Sequence, residues 1–320
     1  MAFPSNDPLF IVGVHRSGTT LLRYMLSSSP RIYIPPESDF IPRFFMGRPA
    51  RPLTEKDVVN MLRVIFSQYR FVKAWQGDAP SAESILREME APTPAAFLNA
   101  LYSRYARQYG AVRWGDKTPI YASYIDLIHQ IFPRAQFIHL IRDGRDAALS
   151  MLEKWERKEI HVDIFFAARN WVRRIQVAQA AGRRLGPEKY YELYYEDLVR
   201  MPEQELRRLC RFLAEPYVPE MVEQQRLARE QLPAGGFHEP VRHPPTERRI
   251  GRWREKMRPT DVRLFQAVAG DLLQELGYEL APMEPMLATE VARMTALATK
   301  YAGLQAGRRL LQAAGVMPPI

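Results

Sequence analysis

Cysteine is nearly missing from this chain of 320 residues, in which Cys210 is the only one. A single thiol excludes an intrachain disulfide and a thiolate metal cluster, so a reducing compartment is the economical expectation. Cys210 stands among Leu206, Leu209, Phe212 and Leu213, the setting of a core thiol and not of a nucleophile. Long apolar runs are lacking as well. None approaches the ~18 residues of a membrane span, and Met1 to Asp7 has neither the basic start nor the apolar stretch of a secretory leader. These absences lead to the expectation of a soluble, cytoplasmic protein without a transmembrane segment. No internal repeat or low-complexity tract is apparent. A composition of 47% hydrophobic and 25% charged residues excludes a disordered chain. The 45 Lys+Arg exceed the 36 Asp+Glu to give +9, which favours anionic ligands without choosing among nucleotide, nucleic acid and membrane surface.

A further absence carries more information. Gly13-Val14-His15-Arg16-Ser17-Gly18-Thr19-Thr20 follows the apolar run Leu9-Phe10-Ile11-Val12 and has the glycine spacing of a phosphate-cradling loop, yet Thr19 stands where nucleotide hydrolases place lysine. In G-x-x-x-x-G-K-[ST] the glycines let backbone N–H groups converge on phosphate, the lysine reaches the terminal phosphates and the hydroxyl holds magnesium. Here Arg16 is left to supply the cation. The run from Thr19 through Leu21 to Leu26 reads as a helix whose N-terminal N–H groups and dipole favour an anion. This suits a phosphate-like group bound without a metal.

Strand patterns occur at Leu9 to Val14, Ala135 to Ile141 and Tyr190 to Tyr195, with a shorter one at Ala111 to Trp114. Each precedes a helical pattern, so the expected fold is α/β: a P-loop-like three-layer arrangement with a central parallel sheet flanked by helices. Residues 43–110 show no strand, while Val58, Leu62, Ile65 and Phe66 and then Phe97, Leu101 and Tyr105 keep helical spacing. They read as a helical insertion, which either covers the cleft or only packs. Proline-rich stretches at 42–52 and 232–246, the second with Gly235-Gly236, read as loops. Beyond a main domain of residues 1–284, residues 285–320 form a helical extension with Leu287, Val291, Met294, Leu297, Tyr301, Leu304, Leu310 and Leu311 on its apolar face. With only Arg293, Lys300, Arg308 and Arg309 as its basic face, core docking or a homo-oligomer contact fits it better than membrane adsorption.

A second anion site follows the strand Phe137 to Ile141. Asp143 is placed to cap the next helix and Asp146 falls in its first turn. Arg142 and Ser150 are eight positions apart, slightly over two turns at ~3.6 residues per turn, so both can face one side and grip one phosphate.

The two motifs, in this order and at this distance, resemble those of sulfotransferases that use 3′-phosphoadenosine-5′-phosphosulfate (PAPS). The likeness is greatest to the bacterial and tyrosylprotein-sulfotransferase-like branch and runs through most of residues 8–260. It implies PAPS as co-substrate, adenosine 3′,5′-bisphosphate as product and no metal. Arg16, Ser17, Gly18, Thr19, Thr20 and Leu21 would hold the 5′-phosphosulfate, with Arg142, Ser150 and Lys154 on the 3′-phosphate. Tyr195 in Tyr194-Tyr195-Glu196-Asp197-Leu198 resembles the contact to adenosine, although an ordinary core tyrosine reads the same way. Arg249-Ile250-Gly251-Arg252-Trp253 resembles the late basic loop that closes over PAPS, with Arg249, Gly251 and Arg252 as ligands and Arg248, Arg249 and Arg254 equally readable as solvated.

Sulfuryl transfer needs a base for the acceptor oxygen and cations beside the sulfonate and leaving oxygens. Arg16 suits the phosphosulfate, and Lys117 in Gly115-Asp116-Lys117-Thr118-Pro119, at a strand end, suits the leaving oxygen and resembles an essential lysine of the protein-tyrosine branch. The cytosolic small-molecule branch draws its base from a KTH motif, but Pro119 occupies the histidine position here. Glu37 in Ile34-Pro35-Pro36-Glu37-Ser38-Asp39-Phe40 resembles the glutamate-bearing loop of the protein-tyrosine branch and is the expected general base, with a solvated loop carboxylate as the other reading. His139 reads as a packed core residue, and His238 and His243 are reserve bases. A small alcohol, phenol, sugar, lipid hydroxyl or peptide tyrosine all remain open as acceptor. Two rival functions also stand: a nucleotide kinase or ATPase, which must do without the loop lysine, and a non-catalytic nucleotide- or nucleic-acid-binding protein, for which no nucleic-acid-reading motif is present.

Overall fold

Alternation along the first strand decides the layers. Phe10 and Val12 point to one face, Leu9 and Ile11 to the other, and all four are fully buried, as in a strand covered on both sides. A computed structural model of the chain describes residues 7–68, 72, 79–156, 163–232, 234, 239–282 and 284–313. Its strands β1 (Leu9–Gly13), β2 (Ile32–Tyr33), β3 (Arg113–Lys117), β4 (Gln136–Ile141) and β5 (Tyr190–Tyr194) form one parallel sheet in the order β2-β3-β1-β4-β5. Leu9 is level with Gly115 of β3 on one side and Gln136 of β4 on the other. The chain leaves β1 for β2 and β3 on one flank and returns to β4 and β5 on the other, so the crevice beyond the carboxyl ends of β3, β1 and β4 is a topological switch point.

Helices α1 (Thr19–Ser27), α9 (Tyr195–Arg200) and α10 (Pro202–Leu213) cover the Leu9/Ile11 face. The opposite face meets the insertion, α2 (Ile41–Phe45), α3 (Glu55–Phe66), α4 (Ala82–Glu88) and α5 (Pro94–Gln108), together with α6 (Ile125–Ile131). A third cluster joins Val14 and Ile141 to α7 (Gly144–Glu156), α8 (Ile164–Leu185) and α13 (Pro259–Glu275). Shorter helices α11 (Gln225–Gln231) and α12 (Trp253–Lys256) flank the late loop, and α14 (Ala288–Ala313) ends the described chain.

The α/β reading and the helical insertion agree with this architecture, but several details differ. The fourth strand is Arg113–Lys117 and not Ala111 to Trp114, because Gly115, Asp116 and Lys117 are all buried in the ladder beside β1. β2 has no sequence signature at two residues. The proline-rich stretch from 42 begins inside α2, since Pro42 falls in the first turn, where a missing N–H does no harm. The helix expected after the fourth strand, with Tyr124, Leu127, Ile128 and Ile131 at helical spacing, begins one residue later, since Tyr124 is the cap between a 3₁₀ turn (Pro119–Ser123) and α6. Gly235, Gly236 and His238 lie outside the described residues. Cys210 is buried as expected, and burial pushes its thiol up to about 12. His139 is likewise packed, its Nδ1 2.6 Å from the Tyr190 hydroxyl. In α14, Tyr301 stacks on Phe165 and donates to Asp163 at 2.6 Å, whereas Leu304 and Leu310 are exposed. The side chains of Arg308, Arg309 and Leu311 are not among those described. Among the described residues no helix is long and apolar enough to cross a membrane.

Candidate active site

At the end of β1 the loop turns so tightly that two residues carry positive φ: Arg16 at 72° and Gly18 at 95°. A Cβ on Gly18 would lie 2.4 Å from the Tyr195 ring, so conformation and close approach both require glycine there. Gly18 begins α1 without a side-chain cap, and the first N–H groups of the helix keep no intrahelical partner. Arg16, a non-glycine residue held in left-handed backbone, donates from Nε to Ser150 Oγ at 3.0 Å. Its carbonyl accepts from Arg142 Nη1 at 3.0 Å. Arg142 also donates to the Arg249 carbonyl at 2.6 Å and lies 4.3 Å over the Tyr195 ring. Its Nε is buried with no hydrogen-bond partner.

Among the described residues none of Arg16, Arg142 and Arg249 has a carboxylate within hydrogen-bond distance. Asp146 stands 3.8 Å from Arg142 but accepts the N–H groups of Gly251 at 2.7 Å and Trp253 at 2.9 Å. Burial and then the neighbouring cations Arg142 and Arg249 hold Arg16 below the usual guanidinium range. Three neighbouring cations, with a buried unpaired Nε among them, form a receptacle for an anion of more than one charge. The orphaned Nε and the unpaired helix N–H groups fit the phosphates of the expected nucleotide.

A cavity of about 900 Å³ lies over this cluster, within the usual size of ligand pockets. Arg16, Gly18, Thr19, Thr20, Leu21, Glu37, Lys117, Arg142, Ser150, Lys154, Tyr195 and Arg249 all line it. Three expected ligands do not. Ser17 is fully buried beneath the loop, and its N–H is spent on the Val14 carbonyl. The N–H of Gly251 goes to Asp146, and Arg252 turns to Glu153 at 2.8 Å, so the late loop presents Arg249 alone of the three. Asp146 anchors that loop, which Arg249-Ile250-Gly251-Arg252-Trp253 by itself does not reveal.

Across from the cations, Lys117 Nζ lies 2.6 Å from Glu37 Oε1 and 3.4 Å from Thr20 Oγ1. Burial pushes Lys117 below the usual lysine range, with the Glu37 charge opposing. The pair is held from below. Ser38 Oγ donates to Asp116 Oδ2 at 2.6 Å, Tyr102 donates to the same oxygen at 2.7 Å, and the Ser38 N–H donates to Thr118 Oγ1 at 3.0 Å. Ser38 and Asp116 thus lock the loop of Glu37 against the strand of Lys117.

Residues 8–219 match the Sulfotransferase family, two thirds of the chain. The chain belongs to the sulfotransferase family. The protein-tyrosine sulfotransferase of Drosophila melanogaster is 26% identical over 215 residues, covering 65% of this chain and 38% of that protein. Protein-tyrosine sulfotransferase 1 of Danio rerio is 26% identical over 285 residues, covering 85% of this chain and 72% of its own length. Thus the chain spans about two fifths of the first relative and nearly three quarters of the second. The sulfotransferase domain of the Synechococcus PCC 7002 olefin synthase has the same fold, with a TM-score of 0.63 at 21% identity over 88% of this chain and 98% of that one.

Several lining residues of this sulfotransferase were not singled out in its sequence. His15, inside the loop, lines the cavity, and burial first, then the charges of Arg174, Lys154 and Lys117, push it down to about 4 against the opposing charge of Glu37. At neutral pH it is uncharged and able to accept a hydrogen bond. Its place within the glycine-spaced loop was the available signal. Tyr33, Tyr105 and Tyr109 wall the far side, with the Tyr33 and Tyr109 rings stacked at 3.8 Å. Tyr33 comes from β2, which had no signature, and Tyr109 follows α5; Tyr105 keeps the helical spacing of the insertion and is buried, but that spacing marks it as core and not as a wall of the cavity. His243 reaches the rim and pairs with Glu239 at 3.0 Å.

Proposed function

We propose that this sulfotransferase moves the sulfuryl group of PAPS to a hydroxyl acceptor and releases adenosine 3′,5′-bisphosphate. The observation that carries the proposal is the Glu37–Lys117 pair at 2.6 Å, in one cavity with a cluster of cations that have no carboxylate within hydrogen-bond distance and with an aromatic wall. The backbone N–H groups of Gly18 to Leu21 with Arg16 would hold the 5′ end of the donor. Arg142, Ser150, Lys154 and Arg249 would hold the 3′-phosphate, and Tyr195 would contact the adenosine part. When bound, PAPS supplies an electrophilic sulfur, to which the acceptor oxygen bonds as the bond from sulfur to the 5′-phosphate oxygen breaks. Glu37 accepts the hydroxyl proton while the new bond forms. Lys117, buried and aimed at Glu37 and Thr20, holds the carboxylate in place and offers positive charge to the leaving oxygen. The acceptor classes named by the relatives include protein tyrosine, and the aromatic wall of Tyr33, Tyr105 and Tyr109 suits a phenolic acceptor.

Glu37→Gln tests the assignment. It keeps size and polarity but cannot take the proton, so turnover should fall by ~10²–10⁴ with affinity for adenosine 3′,5′-bisphosphate retained. Labelled PAPS with a panel of alcohols and phenols, read by mass spectrometry, measures this. The variant should recover part of its rate on an acidic phenol, which needs less help to deprotonate. Near wild-type turnover on a weakly acidic alcohol would sink the role of Glu37.

A further inference from the structure

Arg23 lies one turn into α1 from Thr20, lines the same cavity and is only 6% exposed. Its Nε donates to the Ile34 carbonyl at 2.7 Å, its Nη1 makes a long contact of 3.4 Å to the Tyr24 hydroxyl, and its guanidinium lies 4.7 Å over the Tyr24 ring. Nη2 makes no hydrogen bond, and no carboxylate pairs with Arg23, among the described residues. A guanidinium buried this deeply without a counter-ion is costly unless a ligand supplies the charge.

Its surroundings separate it from the donor cations. Ile34 follows β2, and the charge of Arg23 is felt by Tyr33 and Tyr105, whose hydroxyls burial drives upward. Lys117 feels the charge of Arg23 as well, whereas the cations that bear most on Arg16 are Arg142 and Arg249, so Arg23 belongs with the lobe of the cavity that holds Lys117, Tyr33 and Tyr105. The lobe is walled by the stacked Tyr33 and Tyr109 and by Leu232. Its other carboxylate besides Glu37 is Glu230, which is exposed at the rim. Lys117 is already matched by Glu37, so Arg23 is the uncompensated charge of this lobe.

We propose that the acceptor of this enzyme is an aryl hydroxy acid, its carboxylate held by Arg23 and its flat body laid against the tyrosine wall, with its hydroxyl presented to Glu37. A planar guanidinium fork with a spare donor suits a carboxylate, and aromatic faces suit an aryl body. This rests on the sulfuryl-transfer reading, so the donor half is measured first on the same sample. Wild-type protein is saturated with adenosine 3′,5′-bisphosphate and titrated by calorimetry with 4-hydroxyphenylacetate and with its neutral isostere 4-hydroxyphenylacetamide. The acid should bind about tenfold or more tighter than the amide, as a charge-assisted hydrogen bond implies. In Arg23→Gln the ratio should fall to about one with nucleotide affinity retained, and Arg23→Lys, which keeps the charge and loses the fork, should retain part of the preference. Acid and amide binding alike to the wild type, neither binding, or a preference that survives in Arg23→Gln would overturn the inference while leaving the donor reading intact. Weakened nucleotide binding in Arg23→Gln would assign the residue to the donor and overturn it too. Failure of the wild type to bind the nucleotide would instead overturn the sulfuryl-transfer reading and this inference with it. Should Arg23→Gln not fold, the wild-type ratio together with that of Arg23→Lys decides.

Discussion

Buried arginines stand at both ends of the sheet and are treated in opposite ways. At the amino end, Arg113 is fully buried and every branch of its guanidinium is matched. Nε donates to the Asp7 carbonyl at 2.7 Å, Nη1 to the Leu213 carbonyl at 2.8 Å and to Glu215 at 3.2 Å, and Nη2 to Gln136 Oε1 at 2.7 Å. Glu215 also takes Arg31 at 2.8 Å. At the carboxyl end, Arg16, Arg142 and Arg249 meet carbonyls, a hydroxyl and a ring face, with Asp146 no nearer to Arg142 than 3.8 Å, and most of their charge is left over. The same side chain therefore serves architecture where its charge is cancelled inside the protein, and under the proposed function it serves binding where it is not. Burial alone does not separate the two; a carboxylate within hydrogen-bond distance does, Glu215 at 3.2 Å from Arg113 against Asp146 at 3.8 Å from Arg142.

Removing Arg113 should break this contrast most severely. Arg113→Ala leaves Glu215 buried without its inner partner, which costs about 3–5 kcal/mol of unfolding free energy, while the variant that remains folded should bind adenosine 3′,5′-bisphosphate within a few-fold of wild type. Denaturant unfolding and calorimetry read the two quantities. A loss under about 1 kcal/mol, within the range of a surface pair, would remove Arg113 from the architecture.

His15 probes the carboxyl end in another way, as a gauge first of burial and then of the charges of Arg174, Lys154 and Lys117. The folded protein takes up its proton only near pH 4, whereas the unfolded chain does so from about 6.5. Between these values the unfolded state binds more protons, so stability should rise with pH from about 4 to 6.5, and His15→Gln should flatten that slope. Ring-nitrogen chemical shifts should place the titration near pH 4, and adenosine 3′,5′-bisphosphate, by adding negative charge, should move it upward. A titration near 6.5 in the free protein would contradict the burial and the field together.

Much of the cation cluster was legible in the sequence because its signals are local. A glycine-spaced turn after an apolar run, or an arginine after a strand with a hydroxyl two turns on, needs no knowledge of distant residues. Hence Arg16, Thr20, Arg142 and Ser150 line one cavity as expected, and the parallel sheet followed from the alternation of strand and helix patterns. The differences come from competition for the same group across long separations. Gly251 and Arg252 look like ligands until Asp146 and Glu153, about a hundred residues earlier, claim their N–H and guanidinium. The short β2 and the tyrosine wall were hidden because each is completed by packing between remote segments. Arg23 was read only as part of a helix, since nothing in its neighbourhood along the chain shows that it lacks a counter-ion.

The central claim is that the carboxyl-end arginines are binding groups and not structural ones. Arg142→Ala, measured by thermal unfolding with and without adenosine 3′,5′-bisphosphate, tests it most directly. The account predicts that the free variant loses clearly less stability than Arg113→Ala, since Arg142 gives up carbonyl and ring contacts and only a distant carboxylate, Asp146 at 3.8 Å. It also predicts nucleotide affinity weakened by about 1.5–3 kcal/mol, the loss of a charge-assisted hydrogen bond, with a matching loss of ligand-induced stabilisation. Unchanged affinity, or a destabilisation of the free protein as large as that of Arg113→Ala, would contradict it.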